Sequence, residues 1–336
     1  MAVRMKDIAD DLGVSLMTVS KALRNHSDIS EKTRNRVLKR MRELHYQPDW
    51  IARSMVTGRT YLVGLVLPDL MHSFFAEVAK GVARKLEPLG YQVVIADTEE
   101  DGDVERRHVE VLVNRKVDGL IIASAQRKGR LDFFEMLAKN QIPYVLIDRM
   151  VGGSGANYVG VRDDDLGDMA TEHLIVQDCR RVAHIRGPAV ATGIGRLRGY
   201  RRALARHGMA FNPAYVASGQ YGDNTGYEAM QKLLAADPRP DGVFCYNDPV
   251  AAGAVKAILE ANLRVPQDIA VIGAGNVHYS DLLRIPLSTV DQGSTAIGET
   301  ATDLLVKCMD SGQPSPPQRI FIPPRLVVRD SSRRSG

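Results

Sequence analysis

Cysteine is scarce in this chain, with 3 among 336 residues, Cys179, Cys245 and Cys308. An odd, widely spaced set in apolar or helical surroundings argues against a disulfide scaffold or a cysteine-clamped metal, and reads as buried, reduced thiols. No apolar run reaches the roughly 18 residues that a membrane-crossing helix requires. The opening Met1-Ala2-Val3-Arg4-Met5-Lys6-Asp7 runs straight into a polar helix and does not resemble the apolar stretch of a secretory leader. There is no phosphate-cradling glycine loop, no Gly-x-Gly-x-x-Gly after the first strand, and no His/Cys cluster at metal spacing. Enzymes built on those devices are therefore disfavoured, and no cofactor is expected. Asp163-Asp164-Asp165 could suggest a cation site, but three acids also suit the positive end of a helix starting there. A cytoplasmic protein without catalytic chemistry fits these absences.

What is present is concentrated at the beginning. Met5 to Leu23 reads as two short helices joined at Gly13, with Ile8, Ala9, Leu12, Val14, Val19 and Leu23 supplying their apolar faces. Gly13 sits where the chain must turn sharply, and Ser15 is a suitable N-cap for the second helix. Such a hairpin can be purely structural, but its charge points elsewhere. Residues 1–60 hold 12 Lys+Arg against 7 Asp+Glu, a net of +5, whereas the whole chain carries 44 − 40 = +4. The other residues therefore sum to −1. Concentrated positive charge favours approach to phosphates. A third helix starting after Ser30 turns Val37, Met41 and Leu44 inward and leaves a basic face for a nucleic-acid backbone.

From residue 61 the pattern changes to alternating strands and helices. Strand-like runs fall at Leu62–Leu67, Gln92–Ala96, Gly119–Ala123 and Tyr144–Ile147, separated by the amphipathic stretches Phe75–Leu89, Asp103–Arg115 and Leu131–Lys139. A second series has strands near Arg181–Ile185, Gly242–Tyr246 and Ile269–Ile272. Its helices lie near Asp164–Gln177, Ile194–His207, Asn224–Ala236 and Asp248–Ala261. The strand-like Leu287–Val290 precedes a helix, Ser294–Met309, that is expected to cross back to the first series. Each series implies a doubly wound parallel sheet covered by helices. Two such lobes leave a cleft at the carboxyl ends of their strands, where small ligands bind.

Several spaced segments, in order, resemble the LacI-type (lactose-repressor) family of transcription regulators. They are Ile8-Ala9-Asp10-Asp11-Leu12-Gly13-Val14-Ser15 with Thr18-Val19-Ser20-Lys21-Ala22-Leu23, and the linker Tyr46-Gln47-Pro48-Asp49-Trp50-Ile51-Ala52-Arg53-Ser54-Met55. Asp118-Gly119-Leu120-Ile121-Ile122, Asn247-Asp248-Pro249-Val250-Ala251-Ala252-Gly253 and Pro324-Arg325-Leu326-Val327-Val328-Arg329-Asp330 follow. The resemblance implies a helix-turn-helix domain over residues 1–46, a hinge helix and linker over 47–60, and a two-lobed periplasmic-binding-protein-like core over 61–330. Within that core the N-lobe is expected at about 61–160 and 292–320, and the C-lobe at about 161–291 and 321–330.

It also implies roles. Leu16 and Met17 fall on the family's base-reading positions, with Lys21 one turn later; the first two can sense only apolar features such as thymine methyls, while Lys21 can donate to guanine. Ser15, Thr18, Ser20 and Asn25 suit phosphates. Pro48 and Asp49 start a hinge too short to be a stable helix alone, so it is expected to fold on DNA beside its dimer mate. Arg53 belongs to that hinge, and Met55 takes the place of the family's minor-groove wedge. Around the cleft the resemblance places His72, Phe74, Asp148, Arg196, Tyr221, Asn247 and Asn276, with Arg196 reaching the ligand as a rigid donor fork. Gly275 stands where many members carry an aspartate that clamps sugar hydroxyls, so a bulkier, acidic or modified sugar stays open beside a simple one. The expected partners are a pseudo-palindromic duplex operator, a sugar-like effector and a second copy of the chain, with dimer and tetramer both open. Inducer and corepressor are both open, with release from DNA favoured. The alternative is a soluble sugar-binding protein with no regulatory role.

Overall fold

The computed structural model describes residues 3–23, 26–46, 54, 57–126, 132–219, 224–311 and 316–334. The chain divides into two compact units, Met1–Thr60 and Tyr61–Gly336.

In the first unit, α1 (Met5–Leu12), α2 (Leu16–Leu23) and α3 (Glu31–Glu43) close a small core of Ile8, Ala9, Val19, Ala22, Val37 and Met41. Local chemistry sets the helix ends. Gly13 takes the left-handed conformation at φ +64° and ends α1. Ser15 Oγ accepts from the Thr18 N–H at 3.0 Å to start α2, and Ser30 Oγ accepts from the Thr33 N–H to start α3.

The second unit holds two sheets, each of six strands among the described residues. The first is ordered β11–β5–β4–β3–β1–β2 and is parallel throughout. Its strands are β1 (Leu62–Leu67), β2 (Gln92–Asp97), β3 (Gly119–Ile122), β4 (Tyr144–Ile147), β5 (Asn157–Gly160) and β11 (Arg319–Phe321). The second is ordered β12–β10–β9–β8–β6–β7, with β6 (Val182–Arg186), β7 (Val216–Ser218), β8 (Gly242–Cys245), β9 (Ala270–Gly275), β10 (Ser288–Asp291) and β12 (Arg325–Val327). Its edge strand β12 runs antiparallel to β10. The strands β5, β7, β11 and β12 are of 3 or 4 residues, too short to show a period in the sequence.

In each sheet the strand order reverses at the first strand, β1 or β6, which is the topology that opens a crevice beyond the strand ends. The chain passes between lobes three times, at residues 161–162, 292–293 and 322–324. Helix α11 (Ser294–Ser311), which follows β10 of the second sheet, packs on α4 (Ser73–Leu86) of the first lobe.

One helix pair positions the site directly. α7 (Asp163–Val176) and α8 (Ala191–Arg206) approach so closely that side chains are excluded between them. A Cβ on Gly199 would lie 2.2 Å from the Asp164 carbonyl oxygen, and one on Gly167 would lie 2.2 Å from the Arg196 carbonyl oxygen. This contact brings Arg196, on α8, against Asp163 at the start of α7. Gly199→Ala is expected to force the helices apart and destabilise the unit by about 1–3 kcal/mol. Thermal unfolding measures it, and an unchanged Tm would show that the helices can slide without penalty.

Candidate functional site

On the first unit, α2 turns Val19 and Ala22 inward and leaves Leu16 52% and Met17 60% exposed. A large apolar pair this exposed at a helix start has no core to serve. Lys21 is held by Asp28 at 2.5 Å, and His26 shares that carboxylate at 3.1 Å. Thr18 and Ser15 hydroxyls lie 2.8 Å apart at the cap, and Ser20 is half-buried on the same helix. Asn25, Arg53 and Met55 lie outside the described residues. The basic face expected on α3 is partly engaged within the unit. Arg36 donates to the Leu12 carbonyl, Arg34 to the His26 carbonyl, and Arg40 pairs with Asp11 and Glu43. Those arginines brace the helices as well as supplying charge.

In the second unit a cavity of about 500 Å³ lies between the lobes. The loop after β1 brings His72, Ser73 and Phe74, the end of β4 brings Asp148 and Arg149, α8 brings Arg196, and the end of β8 brings Tyr246 and Asn247. These are strand ends and helix starts, where backbone geometry delivers side chains to a crevice. His72, Phe74, Asp148, Arg196 and Asn247 are thus assembled at one place; Tyr221 lies outside the described residues.

Two of the expected residues already have partners within the fold. Arg196 lines the cavity but is 2% exposed, and its fork is engaged by the protein. It donates from Nε to Asp163 at 3.0 Å, from Nη1 to the Tyr246 carbonyl at 2.6 Å, and from Nη2 to Gln292 at 2.9 Å, with the Tyr246 ring 4.7 Å away. A buried guanidinium must be paired, so its donors turn to Asp163 and its neighbours before any ligand. Asn276 is not among the residues lining the cavity. Its backbone is left-handed at φ +50°, and its amide donates to Asp291 at 3.2 Å while its oxygen accepts from Arg329 at 2.7 Å.

A Cβ on Gly275 would stand 3.6 Å from the Asp248 carboxylate. Asp248, wholly buried, accepts from the Val277 N–H at 3.0 Å, from Ser280 at 2.7 Å and from Thr289 at 2.6 Å. Its carboxylate tethers the turn after β9 to the start of α10 (Asp248–Glu260).

Sequence reasoning missed the second guanidinium of the cleft. Arg149, 4% exposed, forms a bidentate pair with Glu100 at 2.5 Å for both bonds, and its Nε stands 3.6 Å from Asp148. Both Asp148 (φ +58°) and Glu100 (φ +61°) hold left-handed backbone, an unusual state for residues with side chains. The position of Arg149 just beyond a parallel strand was the available signal. Burial pushes the Asp163 carboxyl up to about 6, against the pull of Arg196. Burial also holds His72 below the ordinary imidazole range, against the pull of Asp148 and Asp69. At neutral pH the cleft therefore presents a neutral imidazole, with Asp163 ionised beside Arg196.

Asp163→Asn removes the counter-charge of a buried guanidinium and is expected to lower stability by about 3–5 kcal/mol. Chemical denaturation reads that loss; a change under about 1 kcal/mol would mean that Gln292 and the Tyr246 carbonyl suffice for Arg196.

Comparison with known proteins agrees with both units. The lacI family of bacterial regulatory proteins matches residues 4–49, and a periplasmic binding protein-like domain matches residues 171–332. The ribose operon repressor of Escherichia coli (strain K12) is 33% identical over 332 residues, covering 98% of this chain and 99% of that protein. The HTH-type transcriptional repressor PurR of Haemophilus influenzae (strain PittEE) is 31% identical, covering 97% and 98%. Among solved structures, a lac repressor dimer bound to operator and the anti-inducer ONPF has a TM-score of 0.86 at 25% identity and covers 99% of each chain. The transcriptional regulator CelR in complex with cellobiose has a TM-score of 0.74 at 29% identity, covering 98% of this chain and 99% of that one. The helix-turn-helix unit and the two-lobed core are therefore those of a DNA-binding transcription regulator, and the chain belongs to the lacI family of bacterial regulatory proteins.

Proposed function

We propose that the chain is a cytoplasmic, homodimeric repressor whose hold on a pseudo-palindromic operator is set by a neutral sugar in the interlobe cleft, and that it carries out no catalysis. The observation that carries the ligand class is the pairing of both buried guanidinium groups, Arg149 with Glu100 and Arg196 with Asp163. Among the described lining residues the remaining cation is Lys256, an exposed side chain beside Glu260 at 3.9 Å. Asp148 stays in the cleft as an acceptor, and Asn247 and His72 line it as neutral polar groups. A sugar acid or phosphate would add an anion beside Asp148 with no buried cation left to receive it. A neutral, hydroxyl-rich ligand meets acceptors and donors instead. The names of relatives agree with this class, one being a ribose operon repressor and another a regulator bound to cellobiose.

In this reading His72, Phe74, Asp148, Asn247 and Tyr221 contact the effector, and Arg196 is the buttress behind them. On DNA, Leu16 and Met17 touch base edges, Lys21 leaves Asp28 to donate to guanine, and Ser15, Thr18, Ser20 and Asn25 hold phosphates. Arg53 and Met55 act from the hinge at the operator centre. A single recognition helix reads only a few base pairs, so two copies are needed for useful specificity; the relative solved as a dimer on its operator agrees.

Footprinting with and without sugars tests the whole reading. Two protected half-sites are expected, with protection weakened by a bound sugar. Protection of one asymmetric half-site would overturn the dimeric operator. Exchanging Leu16 or Met17 is expected to change base preference by about 1–3 kcal/mol at one position of each half-site. A uniform loss over all sequences would assign those two side chains to non-specific contact. Trp50, the chain's one tryptophan, reports on the hinge: its emission is expected to shift with specific operator and much less with unrelated duplex. The same spectrum with both would remove the hinge from recognition.

A further inference from the structure

His72 and Asn247 face each other across the cleft, one from each lobe, and each also caps a helix. His72 precedes α4, and its Nδ1 lies 3.3 Å from the Phe74 N–H. Asn247 precedes α10, and its Oδ1 accepts from the Val250 N–H at 3.0 Å. That cap fixes which way the amide points, so Nδ2, a donor, is the atom directed at His72 Nε2, 3.0 Å away. The imidazole therefore meets an N–H at both of its nitrogens. A neutral imidazole has one acceptor nitrogen and one N–H, so it can accept from one side only. Whichever tautomer forms, one contact sets donor against donor. Protonation does not help, because imidazolium presents N–H on both sides. Turning the Asn247 amide over relieves His72 but sets an N–H against the Val250 N–H and breaks the α10 cap.

An oxygen with two lone pairs removes this conflict. Placed between the two side chains, it accepts from Asn247 Nδ2 and from His72 Nε2–H, and Nδ1 is then free to accept from Phe74. Every polar group in the row is satisfied, and both helix caps are kept. We propose that the His72–Asn247 pair is a subsite for one hydroxyl or carbonyl oxygen of the effector, which enters between them and accepts from both lobes at once. This rests on reading the cleft as the sugar site. A sugar hydroxyl fits best, since its own proton can go to Asp148 in the same cavity.

The geometry links that oxygen to lobe separation. Two bonds of about 2.9 Å meeting at a roughly tetrahedral oxygen span about 4.7 Å, so the nitrogens must part by roughly 1.7 Å from their 3.0 Å contact. Because α4 and α10 belong to different lobes, the oxygen acts as a spacer as well as a ligand. His72 is thereby a specificity-determining residue. A ligand without an oxygen at this point leaves the donor conflict in place, and one with an amino group there adds a third donor.

The test follows the ring proton. Nitrogen-15 spectra of the full chain at pH 7.5, with His72 assigned through His72→Gln, are recorded alone and with D-ribose, D-xylose, D-glucose, D-galactose or cellobiose. Without sugar, the shorter contact to Asn247 is expected to keep the proton on Nδ1, leaving Nε2 in the pyridine-like range. A sugar that binds is expected to move the proton to Nε2 and shift the Phe74 amide as its bond forms. A ring already protonated at Nε2 without sugar, or on both nitrogens, overturns the proposal, as does a bound sugar that leaves the tautomer unchanged. His72→Ala is expected to weaken binding of that sugar about tenfold, with His72→Gln, which keeps a donor, recovering most of it. Equal affinity in the wild type and the alanine variant overturns the subsite. If no sugar in the panel binds, the sugar reading fails and the subsite with it. Operator binding by the wild-type chain, followed by mobility shift, separates that failure from failure of the regulator reading.

Discussion

Burying the Arg196 guanidinium is the constraint around which the second unit is arranged. A charge taken out of water this completely must find an opposite charge and further hydrogen-bond partners, or the arrangement is strongly unfavourable. Each partner comes from a different part of the chain: Asp163 from the start of α7, the Tyr246 carbonyl from the end of β8, and Gln292 from a crossover between the lobes. The close approach at Gly167 and Gly199 lets α8 bring the side chain there. The Tyr246 ring beneath it lies so near Gly187 that a Cβ on that residue would stand 2.3 Å from the ring. One guanidinium therefore ties two helices, one strand end and one crossover together. It does so on the wall of the cavity, so the groups that face a ligand are held by bonds the ligand does not supply.

The same economy of partners explains the character of the cleft. Arg149 and Arg196 are both nearly inaccessible, and each has its own carboxylate. What remains for recognition is a set of neutral or acceptor groups at helix starts. His72 and Asn247 illustrate how constrained these are, because each has one atom committed to its own helix and only the other available to the cleft. Asn247 cannot rotate to adapt to a ligand without loosening the start of α10. Selectivity then resides in where acceptors and donors are fixed, and the lobes must move if a ligand does not match.

Much of this was legible in the sequence wherever the deciding interaction is local. Gly13, Ser15 and Ser30 announce helix ends through contacts within a few residues, and the structure places the caps there. Alternating apolar runs gave the long strands and the two doubly wound sheets. Exposure of Leu16 and Met17 followed from their lack of a place in the small core of three short helices. The pairing of Glu100 with Arg149 was not legible, since the two are brought together by the fold and neither belongs to a recognisable spacing. For the same reason the partners of Arg196 and Asn276 were not legible: resemblance places a residue near a site, but hydrogen-bond partners from distant segments decide where its donors point. Asn276 is turned aside by Asp291 and by Arg329, 53 residues further on. The strands β5, β7, β11 and β12 escaped because they are defined by a neighbour in the sheet rather than by a period of their own.

Lys21 shows the same principle on the DNA-binding unit. Its ammonium is already paired with Asp28, an exposed carboxylate that also faces His26. Exposed pairs of this kind contribute only about 0–1 kcal/mol, and salt weakens them further. In the proposed reading a guanine edge would offer Lys21 about 1–3 kcal/mol, enough to draw it away, whereas a single phosphate in salt would have a much smaller margin over the carboxylate already beside it. Asp28 thus subtracts from every contact Lys21 makes, but the subtraction matters most for the weak, sequence-independent ones. An acidic residue beside a recognition helix, which lowers total affinity for a polyanion, in this way widens the gap between specific and non-specific binding.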